Sequence, residues 1–138
     1  MTALFLDSAV WAFALGDEHP RRDACRAVLL AAQRGEVELH ASVELVQEVV
    51  FHRLRRTGRA NAVAEGRAIE RSCALHPFDA GVLGKALELT ATTTLRGRDA
   101  VHAATALLNG FDAIVSPDRD FADVPDLRRL DPADALKG

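Results

Sequence analysis

An α/β domain, with helices layered on both faces of a central and mostly parallel sheet, is the fold class this sequence predicts. Three observations predict it. Two short apolar runs, Ala3 to Leu6 and Phe111 to Val115, stop abruptly at Asp7 and at Ser116-Pro117-Asp118. Stretches with helical spacing fill the chain between them. A third run, Val37 to Ala41, alternates as a strand does and leads directly into another helical stretch. Strands alternating with helices make parallel crossovers, and such a sheet is covered on both faces.

The elements follow in order. Ala3-Leu4-Phe5-Leu6 need not alternate, because a strand of a parallel sheet is buried on both sides. Trp11 and Phe13 begin a first helix. Arg22 to Arg34 carries Cys25, Val28, Leu29 and Ala32 at helical spacing and ends at Gly35. After the strand Val37 to Ala41, Ser42 caps a helix that runs to about Leu54. Arg59 to about Ala74 is a long helix rich in alanine and arginine, and Cys73 to Phe78 is a short extended piece. Ala80 to Leu89 is helical, Thr90 to Arg98 is a threonine-rich loop, and Asp99 opens the helix that ends at Asn109-Gly110. Leu127 to Leu130 makes the last strand, followed by a polar tail. No repeat or linker interrupts the 138 residues, so one domain is expected, with its ordered core at about 2–131.

Hydrophobic residues at 49% and charged residues at 27% exclude a disordered or collagen-like chain. No apolar run approaches the roughly 20 residues that cross a bilayer. Ala9 to Leu15 follows Asp7 without a basic leader, so it is not expected to be a signal peptide. Cys25 and Cys73 stand far apart and read as buried thiols of a reducing compartment, which predicts a cytoplasmic protein. The net charge of −3 does not point to a nucleic-acid partner, but Arg53, Arg55, Arg56 and Arg59 cluster. Such arginines, Arg53 and Arg56 among them, can contact phosphates or simply form a solvated helix end.

Acidic residues stand where ligands of parallel sheets bind, beyond the carboxyl ends of strands. Asp7 ends the first strand, and Asp118 and Asp120 follow the strand Phe111 to Val115. Asp99 begins a helix, and Glu48 borders the apolar stripe of Leu45, Val46, Val49 and Val50. Singly, each has an ordinary explanation as a turn former, a helix-start charge or a partner of His52. Together they are costly, since two carboxylates about 5 Å apart repel by roughly 3 kcal/mol at an effective dielectric near 20. A ring of them needs a cation, and hard oxygen ligands select Mg²⁺ or Mn²⁺ rather than zinc. Metal-assisted phosphodiester hydrolysis is the chemistry this permits. His102 shares the helix face of Asp99 and is either a ligand, a proton shuttle or a partly buried, bonded side chain. Trp11 and Phe13 pack in the core, stack on a base or pack against a partner helix at an interface. There is no G-x-S-x-G nucleophile motif and no glycine-rich phosphate loop.

Leu4-Phe5-Leu6-Asp7-Ser8, Ser42 to Glu48 with Val49-Val50, Arg98 to Ala106, and Ile114 to Phe121 occur in an order and spacing that resembles the PIN-domain ribonucleases. The likeness covers nearly the whole chain and is greatest to the VapC toxins of bacterial toxin–antitoxin pairs. It implies a PIN-like three-layer α/β/α fold on five parallel strands, a homodimer, a VapB-like antitoxin partner, and RNA as substrate, with tRNA or rRNA usual. It also implies catalytic acids at Asp7, Glu48, Asp99 and Asp118, with Asp7, Asp99, Asp118 and neighbouring Asp120 as metal ligands. Ser8 and Ser116 bring hydroxyls beside these acids and join Arg53 and Arg56 as candidate substrate contacts. Three departures stand out. Ala9 replaces the family's usual asparagine or serine, Ser116 replaces the usual threonine, and Glu44 shares a helix face with Glu48. The competing readings are a phosphatase of the haloacid dehalogenase type, a receiver domain and a pure binding module. The phosphatase needs an acid where Ala9 stands, and the receiver needs paired acids and a late lysine that are missing.

Overall fold

The computed structural model describes residues 1–137. Strand β1 (Thr2–Phe5) is followed by helices α1 (Ser8–Leu15) and α2 (Arg22–Gln33) and by strand β2 (Val37–Ser42). Helices α3 (Val43–Thr57) and α4 (Arg59–Ser72) lead to β3 (Cys73–His76), and α5 (Ala80–Thr92) and α6 (Arg98–Leu108) lead to β4 (Ala113–Val115). A 3-10 turn at Arg119–Asp123 connects to β5 (Arg128–Leu130).

All strand pairings are parallel. β2 lies between β1 and β3, with Leu4 opposite Leu39 and Ala41 opposite Leu75. β4 pairs with β5 through Ile114 and Arg129. The two sets meet at one bridge, Leu6 with Val115, where the Asp7 N–H donates to the Val115 carbonyl at 3.0 Å. The sheet is therefore three strands and two strands joined at a point, rather than one evenly paired sheet of five. β4 has only three residues, and it meets the β1 segment only at their carboxyl ends.

This order makes the sheet's topology reverse between β1 and β4. The chain moves outward from β1 to β2 to β3, then returns to place β4 and β5 on the other side of β1. A crevice opens at such a reversal, beyond the carboxyl ends of the strands.

Alternation along β1 divides the core into two layers. Leu4 and Leu6 face one layer, with Val28, Leu39, Leu45 and Ile69 from α2, β2, α3 and α4. Phe5 faces the other, with Val82, Leu89, Ala103, Ile114 and Phe121. Cys25 and Cys73 are free and buried, and burial pushes both thiols up to about 11, so they are unreactive core residues.

Local chemistry sets the boundaries. Ser42 caps α3 as expected, its hydroxyl accepting the Glu44 N–H at 3.1 Å. The threonine-rich segment expected as a loop instead extends α5 to Thr92. The hydroxyls of Thr90 and Thr92 bond back to the carbonyls of Ala86 and Glu88, which keeps the polar side chains compatible with the helix. The polar stretch after residue 130 forms turns against the body of the protein: Pro132 is buried and Asp131 pairs with Arg21 and Arg129.

Gly66 marks the closest approach of α4 to α3. A Cβ there would stand 2.6 Å from Cγ2 of Val50, a side chain with little freedom to turn away. Overpacking of about 1–3 kcal/mol exceeds the roughly 0.5–1 kcal/mol that alanine gains in a helix. Gly66→Ala is therefore expected to lower stability in urea denaturation, and Val50→Ala in the same chain should restore part of the loss.

Candidate active site

Asp7 sits at the N-cap position of α1, yet its side chain caps no backbone N–H. The carboxylate points elsewhere. Its Oδ2 accepts from the Ser116 hydroxyl at 2.8 Å and its Oδ1 from Ser8 at 3.5 Å, with almost no exposure to solvent. An ordinary strand-ending aspartate would turn back onto its own backbone. This one is directed across the sheet's reversal to the end of β4.

The loop after β4 is bound from several sides. Ser116 accepts the Asp118 N–H on the same oxygen that donates to Asp7, at 3.0 Å. Asp118 in turn accepts the Asp120 N–H at 2.9 Å, which starts the 3-10 turn. Two arginines that the sequence reading passed over complete the support. Arg129 on β5 donates to the Ser116 carbonyl at 2.9 Å, and Arg21 before α2 donates to the Pro117 carbonyl at 3.2 Å. Asp131 lies between them, 4.0 Å from Arg21 and 3.6 Å from Arg129. The only sequence signal for this clamp was the charge run Arg128-Arg129 beside a short strand, which also fits a solvated edge.

Asp99 in the first turn of α6 completes a compact group. Oxygens of Asp99, Asp118 and Asp120 all lie within 4.8 Å of one another, the only such group among the described residues. Asp7 borders the same cleft but stands outside that set, because Ser116 and Ser8 hold its oxygens. An all-carboxylate donor set suits a hard divalent cation and offers zinc neither nitrogen nor sulfur.

Glu48 and Glu44 separate clearly. Glu44, half-buried like Glu48, pairs with Arg98 at 3.3 Å, and Arg98 also lies over the Phe51 ring. Glu48 lines the cleft, and its Oε1 meets His102 Nε2 at 2.9 Å. His102 is fully buried, and its Nδ1 has no partner. Of the readings offered for it, the structure supports a buried, bonded residue beside the site.

Electrostatics show the strain of the arrangement. Burial, reinforced by Asp7, Asp118 and Glu48 against the opposing pull of His102, pushes Asp99 up to about 6. Burial also raises Asp7, against the opposing pull of His102 and Ser116. Glu48 goes the other way: burial raises it, but the His102 bond and charge, with Ser8 and Arg98, prevail and hold it below its ordinary value. His102 is the complement, for burial lowers it while the bond to Glu48 and the charges of Asp7 and Asp99 hold it above the usual histidine range.

The remaining candidates are placed unevenly. Ser8 is buried against Asp7. Arg53 reaches the cleft wall, but its Nε and Nη2 donate to Glu65 at 2.9 and 3.2 Å, so its fork ties α3 to α4. Arg56 keeps an exposed guanidinium in a loose pair with Asp17 at 3.6 Å. Trp11 is buried in the core, whereas Phe13 lines the cleft. The cleft encloses about 550 Å³ and runs from the acids along α1 and α3.

A sheet that reverses between β1 and β4, with carboxylates gathered there, has a ligand crevice whose donors suit a divalent cation. The family model of the PIN domain matches residues 4–127, and the chain belongs to that family. Among its relatives is ribonuclease VapC7 of Mycobacterium tuberculosis, 36% identical over 94% of this chain and 91% of that protein. Ribonuclease VapC13 of the same organism is 28% identical over 92% and 98%. The fold is also that of VapBC2 from Rickettsia felis, solved with a DNA fragment from its promoter, with a TM-score of 0.71, 13% identity, and coverage of 94% of this chain and 100% of that one. VapC20 of Mycobacterium tuberculosis, described as a toxin cleaving the sarcin–ricin loop, has a TM-score of 0.67 at 22% identity over 91% and 98%. Family membership removes the phosphatase, receiver and pure binding-module readings.

In the unfolded chain Asp99 ionises near 3.8, in the fold at about 6. The folded state thus holds that proton more tightly, and the associated stability is lost as pH rises through 6. Without divalent ions, Asp99→Asn is expected to be more stable than the parent at pH 8. That advantage should fade toward pH 4, as read by urea denaturation in EDTA at the two pH values.

Proposed function

We propose that this chain is a Mg²⁺-dependent endoribonuclease, with Mn²⁺ as an alternative ion, and the toxin of a VapBC-like toxin–antitoxin pair. The observation that carries the reading is the meeting of carboxylates from β1, α3, α6 and the β4 loop at one edge of the sheet. Kinship with the VapC ribonucleases supports the substrate class, and we assign tRNA or rRNA within it. An antitoxin of the VapB type fits as partner, its chain covering the acidic cleft with an arginine among the carboxylates. The toxin acts as a homodimer in the cytoplasm. No helix among the described residues is long and apolar enough to cross a membrane.

Asp99, Asp118 and Asp120 would hold the ion, with Asp7 beside them. Bound there, it supplies charge neutralisation, activation of water and a contact for a phosphate oxygen. The chain's own groups do the rest. Ser116 fixes Asp7 against Asp118, so the acids meet the substrate in one geometry and need no rearrangement. Glu48 stays ionised because His102 bonds it, which leaves Oε2 as an acceptor for a hydrogen of the attacking water. A carboxylate held low is a weak base, so its task is to orient that water rather than to store its proton. Arg56 offers a guanidinium to a flanking phosphate.

Asp7→Asn is expected to abolish RNA cleavage while the protein remains folded, and full activity in that variant would end the proposal. Glu48→Gln should lower kcat by about 100-fold in the same assay. In thermal melts, Mg²⁺ at a hundred times its Kd should stabilise the parent by about 2.7 kcal/mol. Asp118→Asn should lose most of that gain, because it removes a ligand from the closest group of acids.

A further inference from the structure

The cleft continues past the acids to a pair of rings whose presence the metal chemistry does not explain. Phe13 on α1 and His19 in the loop that follows both line it, with ring centroids 4.6 Å apart and planes inclined by 33°. His19 is exposed, yet it is held at two points. One is Phe13; the other is the Arg21 N–H, which donates to His19 Nδ1 at 3.1 Å. An exposed side chain normally keeps its rotamer freedom, and fixing it costs conformational entropy. A backbone N–H can only donate, so Nδ1 is the acceptor in that bond.

Arg56 lines the same cleft, and its partner Asp17 is also exposed. An exposed ion pair of this kind is weak, so a phosphate can displace the aspartate at little cost. One continuous cleft thus holds a ring of acids, a cation for a neighbouring phosphate and a fixed aromatic surface. A cation for phosphate and an aromatic surface are what recognise an unpaired nucleotide, since every base has a π face that can stack, and here both share the cleft of the acids.

The geometry points to a nucleobase platform built from Phe13 and His19, on which one unpaired base beside the cleaved phosphate stacks. This rests on the ribonuclease reading above and narrows it to single-stranded RNA, because bases inside a duplex are already stacked on one another. His19 belongs to the platform and not to the acidic ring, so its removal leaves the ring intact.

The test uses the full chain carrying Asp7→Asn, so that RNA is bound and not cut. Fluorescence anisotropy follows fluorescein-labelled single-stranded oligoribonucleotides, intact or with one abasic site moved along the strand. His19→Ala should weaken the intact strand by about ten-fold or more, the range of one base–aromatic stack, and His19→Phe should retain binding. One abasic position should weaken the parent by the same factor and have no effect in His19→Ala. Binding of the same sequence as a duplex should not depend on residue 19. Equal binding by His19→Ala and the parent, or loss in His19→Phe matching that in His19→Ala, overturns the platform. So does a loss confined to a VapB-like peptide with RNA unchanged. Cleavage by the unmutated chain separates the two readings. If it cuts RNA while His19→Ala binds normally, only the platform falls; if it neither binds nor cuts any RNA, both fall.

Discussion

The hydroxyl of Ser116 is the joint on which the site depends. It donates to Asp7 and accepts from the Asp118 backbone, which links two chain segments 109 residues apart. β1 and β4 pair at only one bridge, so the sheet itself does little to hold their ends in register. A buried carboxylate without that donor would lose a charge-assisted bond in a place water cannot reach. The clamp from Arg129 and Arg21 acts on the same turn through its carbonyls. The loop that carries Asp118 is therefore positioned by side chains more than by strand pairing.

Around that joint the protein tolerates an excess of like charge by dividing its acids between two environments. Asp7 is pushed up by burial and by Glu48, and Asp99 by burial and by Asp7, so their ionisation favours a cation. Glu48 has His102 beside it, whose bond and charge hold it below its ordinary value. Carboxylates in one cleft thus take different tasks because their neighbours differ. Among the described residues no protein group pairs with the buried Nδ1 of His102, so Nε2 alone ties the ring to Glu48.

Much of this was legible because strand ends in parallel sheets are where ligands bind, so Asp7 and Asp118 drew attention by position alone. Asp99 was legible by its place before an alanine-rich helix that must pack closely. The resemblance puts Glu48 in the acidic set, but Glu44 lies on the same face of α3, and only the arrival of α6 shows that Glu48 meets His102 and Glu44 meets Arg98. Arg53 resembled a phosphate contact until α4 brought Glu65 to its fork. The helical state of Thr90 and Thr92 was missed because loop-forming residues can satisfy their hydroxyls on the preceding turn.

The linear order of residues determined the alternation of strands and helices, the acids at the strand ends and the cap at Ser42, since each follows from local periodicity and backbone chemistry. Tertiary structure alone decided the break of the sheet into three strands and two, the pairing of Glu48 with His102 and the two-arginine clamp. It also brought His19 onto Phe13 at the mouth of the cleft. Those outcomes depend on which segments come to lie side by side, and distances between remote side chains are not encoded in any local pattern.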